Sequence, residues 1–116
     1  MSTVNKILCT RYIRLVKEMV LAFDDADPSA LLFIDPVHGN TLATFREEFP
    51  DRIILPSSSL EEIKRYTEHY EADTIFIFLA NSLKRRTSHS YWGRTPIEDL
   101  HTFSQEEDIS ITYGVL

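Results

Sequence analysis

Apolar positions along this chain follow two spacings that alternate from the N-terminus to the C-terminus. Short runs of consecutive apolar residues predict buried strands, whereas apolar residues three and four positions apart predict helices with one buried face. Four strands are predicted in this way, at Ala30–Ile34, Arg52–Leu55, Thr74–Leu79 and Ile109–Val115. The run TIFIFL at Thr74–Leu79 is the clearest of them, because it consists of β-branched, aromatic and aliphatic residues without a charge.

Helical spacing precedes each of these strands. The first predicted helix is long and runs from Thr3 to Asp24. Its main apolar stripe consists of Val4, Leu8, Tyr12, Leu15, Met19 and Phe23. Ile7, Val16 and Val20 widen that face, and Ile13 and Leu21 lie off it. So broad a surface predicts a helix that is covered on more than one side, by the rest of the domain or by a second chain.

Three shorter helices complete the alternation. They are predicted at Thr41–Phe49, from the serines after Pro56 to Tyr70, and from Pro96 to Phe103. The helix after Pro56 has a capping box of either Ser58 with Glu61 or Ser59 with Glu62.

The resulting order, α-β-α-β-α-β-α-β, predicts a single α/β domain over residues 1–116. We expect a three-layer α/β/α arrangement with about four mostly parallel strands and right-handed crossovers. The last strand, Ile109–Val115, alternates apolar with small or polar residues, which is typical of a half-exposed strand at a sheet edge.

Composition narrows the class of protein. The chain has 116 residues, a net charge of −6 and one cysteine, Cys9. One cysteine makes no intramolecular disulfide, and a negative net charge disfavours general binding to DNA or anionic membranes. Lys6, Arg11, Arg14 and Lys17 interrupt the apolar residues near the N-terminus, so no secretory signal pattern is present. We therefore expect a cytoplasmic protein that does not bind membranes.

Charge is unevenly distributed along the chain. The segment Ala80–Thr95, here called the basic segment, carries Lys84, Arg85, Arg86 and Arg94 and no acid. The remaining residues hold 8 Lys and Arg against 18 Asp and Glu, a balance of 8 − 18 = −10. Tyr91 and Trp92 add rings on which a base or an arginine can stack.

Polar residues follow the first three predicted strands. They lie in Asp35–Thr41, in Ser57–Ser59, and in Asn81, Ser82 and the basic segment. Ligands of open parallel sheets bind at the carboxyl ends of the strands, so these segments are expected to converge on one edge. The candidate ligand-binding residues are Asp35, His38, Asn40, Thr41, Ser57, Ser58, Lys84, Arg85, Arg86 and Trp92.

Each segment also has a simpler interpretation. Asp35 and His38 form either an acid/base pair or the two ends of a turn. The string DPVHGNT from Asp35 to Thr41 resembles a stretch of the class II DAHP synthases in which the histidine binds a metal. Those enzymes are large (β/α)₈ barrels, a fold that needs about 250 residues, so no fold, activity or ligand is carried over.

The serines at Ser57 and Ser58 either bind an anion or cap the following helix. No GxGxxG or GKS/GKT motif accompanies them, which disfavours a standard dinucleotide or nucleoside triphosphate site. The cations of the basic segment either hold a phosphate or carboxylate or pair with acids of the chain itself, such as Glu61, Glu62 or Glu106–Asp108.

Three functions are consistent with these features. The first is a small binding or regulatory domain that docks an anionic ligand or an acidic protein surface through the basic segment. The second is a small enzyme that acts on a nucleotide or phosphometabolite through Asp35 and His38, and the third is a binder of single-stranded nucleic acid. We expect no cofactor, no metal and no assigned catalytic residue. A protein partner or a homodimer is expected to use the N-terminal helix, with Ile13, Val20 or Leu21 at the contact.

Overall fold

The computed structural model describes residues 3–8, 12–34, 41–56, 59–79 and 96–115. Strands and helices alternate along these ranges, beginning with a strand. The elements are β1 (Thr3–Leu8), α1 (Tyr12–Asp24), β2 (Leu31–Ile34), α2 (Thr41–Glu48), β3 (Ile53–Pro56), α3 (Leu60–His69), β4 (Thr74–Leu79), α4 (Pro96–Glu107) and β5 (Ser110–Val115). The predicted α/β class is therefore confirmed.

The five strands of the described residues form one sheet in the order β1-β5-β4-β2-β3. Every neighbouring pair is parallel, so the prediction of parallel pairing is also confirmed. β2 lies between β4 and β3, and its four residues are fully buried. A strand buried on both faces is a continuous apolar run in sequence, which is the pattern that LLFI shows.

Apolar clusters cover both faces of the sheet. Successive residues of a strand point to opposite faces, and β2 divides accordingly, with Leu31 and Phe33 in one cluster and Leu32 and Ile34 in the other. Helices α3 and α4 contribute Ile63, Leu100 and Phe103 to the first cluster. Helices α1 and α2 contribute Met19, Phe23 and Phe45 to the second cluster, and Phe49, directly after α2, also belongs to it.

The N-terminal region differs from the sequence-based prediction. A single helix from Thr3 to Asp24 is not confirmed, because Thr3–Leu8 form β1 and the helix α1 begins at Tyr12. β1 pairs with β5, with Thr3 opposite Ser110 and Leu8 opposite Val115. The partner that makes residues 3–8 a strand is thus at the far end of the chain, where the local apolar spacing carries no information about it.

This extra strand also corrects the position predicted for β5. β5 lies between β1 and β4 and is not at an edge. Ile111 and Tyr113 are buried in the cluster under α3 and α4, while Ser110 and Thr112 are half-buried. The alternation in ISITYGV therefore reflects one fully buried and one half-buried face of β5. Neither face is fully exposed to solvent.

Arg52 connects the start of β3 to the end of α1. Its guanidinium donates hydrogen bonds to the carbonyl oxygens of Asp27 at 3.0 Å, Asp24 at 3.2 Å and Ala26 at 3.0 Å. It also lies 4.8 Å from the centre of the Phe23 ring. One side chain therefore satisfies carbonyls that the end of α1 leaves without an intrahelical partner.

In the part of the chain that the structure describes, no helix has both the length and the apolar character that a membrane span requires.

Candidate functional site

The order of the strands reverses at the boundary between β2 and β4. From β2 the chain passes through α2 to β3 on one side of the sheet, and from β4 it passes through α4 to β5 on the other side. α2 packs on one face of the sheet and α4 on the opposite face. In open α/β sheets, a crevice forms where neighbouring strands send their connections in opposite directions, at the carboxyl ends of those strands.

The ends of these two strands are level with each other. Ile34 of β2 pairs with Phe78 of β4, and Ile34 also pairs with Pro56 of β3 on its other side. The residues that follow β2, β3 and β4 in the chain therefore start from adjacent positions at one edge of the sheet, here called the carboxyl edge. The convergence that parallel strands predict for the starting points of these segments is present.

The strand ends at the carboxyl edge are apolar and closely packed. Ile34 and Phe78 have no exposed surface, and the Phe78 ring lies 6.3 Å from the Phe45 ring of α2. Neither residue has a group that titrates or coordinates a ligand. The polar chemistry of a site at this edge therefore has to come from the segments that follow the strands.

Those segments contain the residues that the sequence predicts for ligand binding. Thr41 is the first residue of α2, and the structure describes its backbone. The other candidates, Asp35, His38, Asn40, Ser57, Ser58, Lys84, Arg85, Arg86 and Trp92, lie outside the described residues. Their assignment to a site stays a prediction.

Ser59 is the N-cap residue of α3. Its backbone is extended, with φ −161° and ψ 161°, and its hydroxyl oxygen accepts a hydrogen bond from the Glu62 N–H at 3.1 Å. Of the two capping boxes that the sequence allows, the described geometry supports Ser59 with Glu62. Glu61 and Glu62 occupy the first turn of α3, where carboxylates interact favourably with the helix dipole.

The opposite edge of the sheet, here called the amino edge, is rich in carboxylates. The ends of α1, α2, α3 and α4 and the turns that lead into β2 to β5 contain twelve of the eighteen acidic residues of the chain. These twelve are Asp24, Asp25, Asp27, Glu47, Glu48, Asp51, Glu68, Glu71, Asp73, Glu106, Glu107 and Asp108. The chain thus carries acids at one edge of the sheet and attaches its basic segment to the other.

Hydrogen bonds from Ser29 stabilise the carboxylate of Asp27 at the amino edge. The backbone N–H and the hydroxyl of Ser29 each donate a hydrogen bond to Asp27 Oδ1 at 2.9 Å. These bonds, with a smaller contribution from the Arg52 charge, lower the pKa of Asp27 below its ordinary value of 3.8. Asp27 is therefore ionised at neutral pH.

A cleft of about 440 Å³ opens at the amino edge between α3 and α4. Glu68, Glu71, Glu106 and Glu107 line it. Lys64 and Phe103 also line it, with Lys64 Nζ 5.5 Å from the centre of the Phe103 ring. The spacing of residues in the sequence does not indicate this cleft, because its acids come from two helices that are distant in the chain. Among the described residues, no group of three or more His, Cys, Asp or Glu is placed to hold a metal ion.

The position of the acids bears on whether the basic segment pairs within the chain. Glu106–Asp108 lie at the amino edge, and the basic segment begins after Leu79 at the carboxyl edge. The six residues of β4 separate the two edges by about 17 Å. Glu61 and Glu62 lie at the carboxyl edge, so they are the nearer of the acids proposed as internal partners.

Comparison of the chain with protein-family models, with curated proteins and with solved structures found no match.

Proposed function

We propose that this protein is a small binding domain that docks an anionic ligand or an acidic surface at the carboxyl edge of its sheet, through the basic segment Ala80–Thr95. The observation that supports the proposal is the reversal of strand order between β2 and β4, with Ile34 paired to Phe78. The segments that carry His38 and the basic residues leave the sheet from these two neighbouring ends.

The distribution of charge supports an anionic partner. The basic segment has four cations and no acid, whereas the amino edge holds twelve acids. An anion approaching the amino edge meets repulsion. Glu61 and Glu62 also lie at the carboxyl edge, so attraction there depends on the four cations of the basic segment, which the chain enters from that edge. Separated charges of this kind orient a charged partner before contact and speed its association at low ionic strength.

Arginine suits this role because its planar guanidinium donates two parallel hydrogen bonds to phosphate or carboxylate oxygens. Arg85 and Arg86 are adjacent in the basic segment and Trp92 follows six residues later. A cation pair followed by a large ring accommodates an anionic group beside a planar group. Nucleotides and acidic peptides with aromatic residues have both.

The test uses the double variant Arg85→Ala/Arg86→Ala. Tripolyphosphate, ATP and a polyglutamate peptide serve as probes, and thermal unfolding is followed at low salt. A ligand present at about 100 times its Kd stabilises the native state by about 2.7 kcal/mol. We expect at least one probe to raise the Tm of the wild-type chain by several degrees, and the double variant to lose that rise.

Lys64→Ala/Arg65→Ala is the matched control. It removes two adjacent, exposed cations from α3 and changes the net charge by the same amount. We expect this control to keep the Tm rise, because binding depends on the basic segment and not on net charge alone. No Tm rise with any probe, or an equal loss in both variants, contradicts the proposal. Release of phosphate from ATP in the same samples would instead favour an enzyme.

A further inference from the structure

An apolar groove lies between α1 and α2 on the surface of the molecule. It has a volume of about 360 Å³, and its apolar lining includes Val16, Val20 and Phe45, with Lys17, Thr44 and Glu48 also lining it. Leu21 also lines the groove, and 66% of its surface is exposed, more than for any other large hydrophobic side chain of the described residues. An exposed leucine beside an apolar groove forms an apolar surface of the kind that marks a protein interaction site.

Apart from Glu18 in the middle of the helix, the charges on the exposed face of α1 are arranged in two groups. Arg14 and Lys17 lie in the N-terminal half, Leu21 follows, and Asp24 and Asp25 lie at the C-terminal end. The first turn contains no acid and the last turn no base. The cations therefore lie towards the positive, N-terminal end of the helix dipole and the acids at its negative, C-terminal end. Both placements are unfavourable. Arg52 satisfies backbone carbonyls at this end.

We propose that this surface is a two-fold interface at which a second copy of the chain binds, with the two α1 helices antiparallel. In this arrangement, Leu21 of each copy enters the groove of the other. Arg14 and Lys17 of each copy face Asp24 and Asp25 of the partner. The N-terminal end of each helix dipole then lies beside the C-terminal end of the other.

Charge complementarity identifies the second copy as the occupant. A two-fold axis places residue i of one helix opposite residue j of the other, and j opposite i, so a self-complementary face is required. The sequence of two cations, one leucine and two acids meets this requirement only in the antiparallel orientation. The distance along the helix from Arg14 to Asp24 is about 15 Å, and the leucine lies between them.

The size of the surface sets the strength of association. α1 has 13 residues and is about 20 Å long, so one helix pair with its groove buries less than the 800 Å² per partner of a standard interface. We therefore expect a dimer that dissociates on dilution. This inference does not depend on the proposed function, because the basic segment takes no part in it.

Sedimentation of the full chain between about 1 µM and 1 mM tests the dimer. The mass should rise with concentration from 13.5 kDa towards twice that value. We expect Leu21→Glu to weaken dimerisation at least tenfold while its Tm in dilute solution stays near that of wild type, since the side chain is mostly exposed. Tyr70→Glu is the matched control, because Tyr70 is 40% exposed on another surface and should not affect dimerisation.

A charge exchange tests the antiparallel orientation. Arg14→Glu/Lys17→Glu and Asp24→Lys/Asp25→Lys should each dimerise at least tenfold more weakly than wild type, because like charges meet across the axis. An equimolar mixture of the two variants should recover association, since opposite charges meet again at both ends.

Three results would overturn the proposal. A wild-type chain that remains a monomer at 1 mM excludes the interface. A dimer that Leu21→Glu does not weaken uses another surface. A mixture of the two charge variants that stays as weak as each alone excludes the antiparallel pairing of the α1 helices.

Discussion

Tyr113 places a titratable phenol in the core. It lies on β5 between Ile77 of β4 and Lys6 of β1, and only 4% of its surface is exposed. Burial disfavours the charged phenolate, which raises the pKa of Tyr113 above its ordinary value of 10.0. In the unfolded chain, the same phenol loses its proton near its ordinary pKa. The native state is therefore more stable when the phenol of Tyr113 is protonated.

The stability of the protein should fall at alkaline pH for this reason. Below pH 10 the phenol is protonated in both states, and the contribution to stability is fully present. As pH rises from 10 through the raised native pKa, the unfolded state loses the proton first, so the free energy of unfolding falls. Urea unfolding of wild type and Tyr113→Phe between pH 8 and 11.5 measures this difference.

We expect Tyr113→Phe to lose less stability than wild type across the interval above pH 10. Tyr70→Phe provides the matched control, since it removes a phenol that is 40% exposed, and its curve should follow wild type. Parallel curves for Tyr113→Phe and wild type would show that Tyr113 does not cause the alkaline loss.

Among the elements, α3 and α4 end in the same way. After α3, the Ala72 N–H donates to the Thr67 carbonyl at 3.1 Å, and the Glu71 N–H to the Glu68 carbonyl at 3.1 Å. After α4, the Ile109 N–H donates to the Ser104 carbonyl at 3.2 Å. These bonds form Schellman-type ends, in which one residue adopts the left-handed conformation and the next returns to the core.

Both helices have an acid at the left-handed position. Glu71 has φ 51° and Asp108 has φ 52°, a region in which a side chain beyond Cβ is strained and glycine is not. The carboxylate also lies at the negative end of the helix dipole. The two helix ends therefore store an unfavourable energy that the bonds to Thr67 and Ser104 offset.

Replacement of Glu71 by glycine should stabilise the protein by about 1 kcal/mol, because it removes the strain of a positive φ. Glu71→Gln is the control, since it removes the charge and keeps the side chain. Urea unfolding at pH 7 compares the two variants with wild type. Equal stability of Glu71→Gly and Glu71→Gln would mean that charge, and not backbone conformation, sets the cost at this position.

The whole molecule has a separation of charge along the strand direction. The amino edge gathers carboxylates from the ends of α1, α2, α3 and α4 and from the turns before β2 to β5, which are distant in sequence. The basic segment starts at the other edge. Crowded carboxylates repel one another in the native state, and unfolding relieves that repulsion.

Salt should therefore raise the Tm of the protein. Screening shortens the range of the repulsion to about 8 Å at 0.15 M ionic strength and about 3 Å at 1 M. We expect the Tm to increase between 0.01 M and 0.5 M sodium chloride, and to increase less in Glu106→Gln/Glu107→Gln, which lacks two carboxylates of the amino edge. Scanning calorimetry measures both slopes.

A control places the same charge change at the carboxyl edge. Glu61→Gln/Glu98→Gln removes two carboxylates from the first turns of α3 and α4, where they stabilise the helix ends. Its salt slope should stay at least as steep as that of wild type. A Tm that is constant or falls with salt would contradict repulsion at the amino edge.

Much of the fold follows from residues that interact with near neighbours. The run TIFIFL predicts β4 with its bounds unchanged, and LLFI predicts β2, because consecutive apolar side chains are stable only where both faces are covered. The pairing of Ser59 with Glu62 follows from a spacing of three residues. The position of polar and basic residues after strands predicts the candidate site, and apart from the backbone of Thr41 these residues lie outside the described residues.

Long-range pairing decides the remaining features. Residues 3–8 have apolar spacing that fits a helix, and only the ladder with β5 makes them a strand. The same pairing moves β5 away from the edge of the sheet.

By itself, then, the sequence determined the alternation of strands and helices, the buried centre of the sheet and the cations of the basic segment, since each depends on residues close together in the chain. The tertiary structure decided the strand order, the meeting of Ile34 with Phe78, the carboxylates of the amino edge and the groove beside Leu21. These features depend on which distant segments pack together, and the local spacing of apolar residues does not encode that choice.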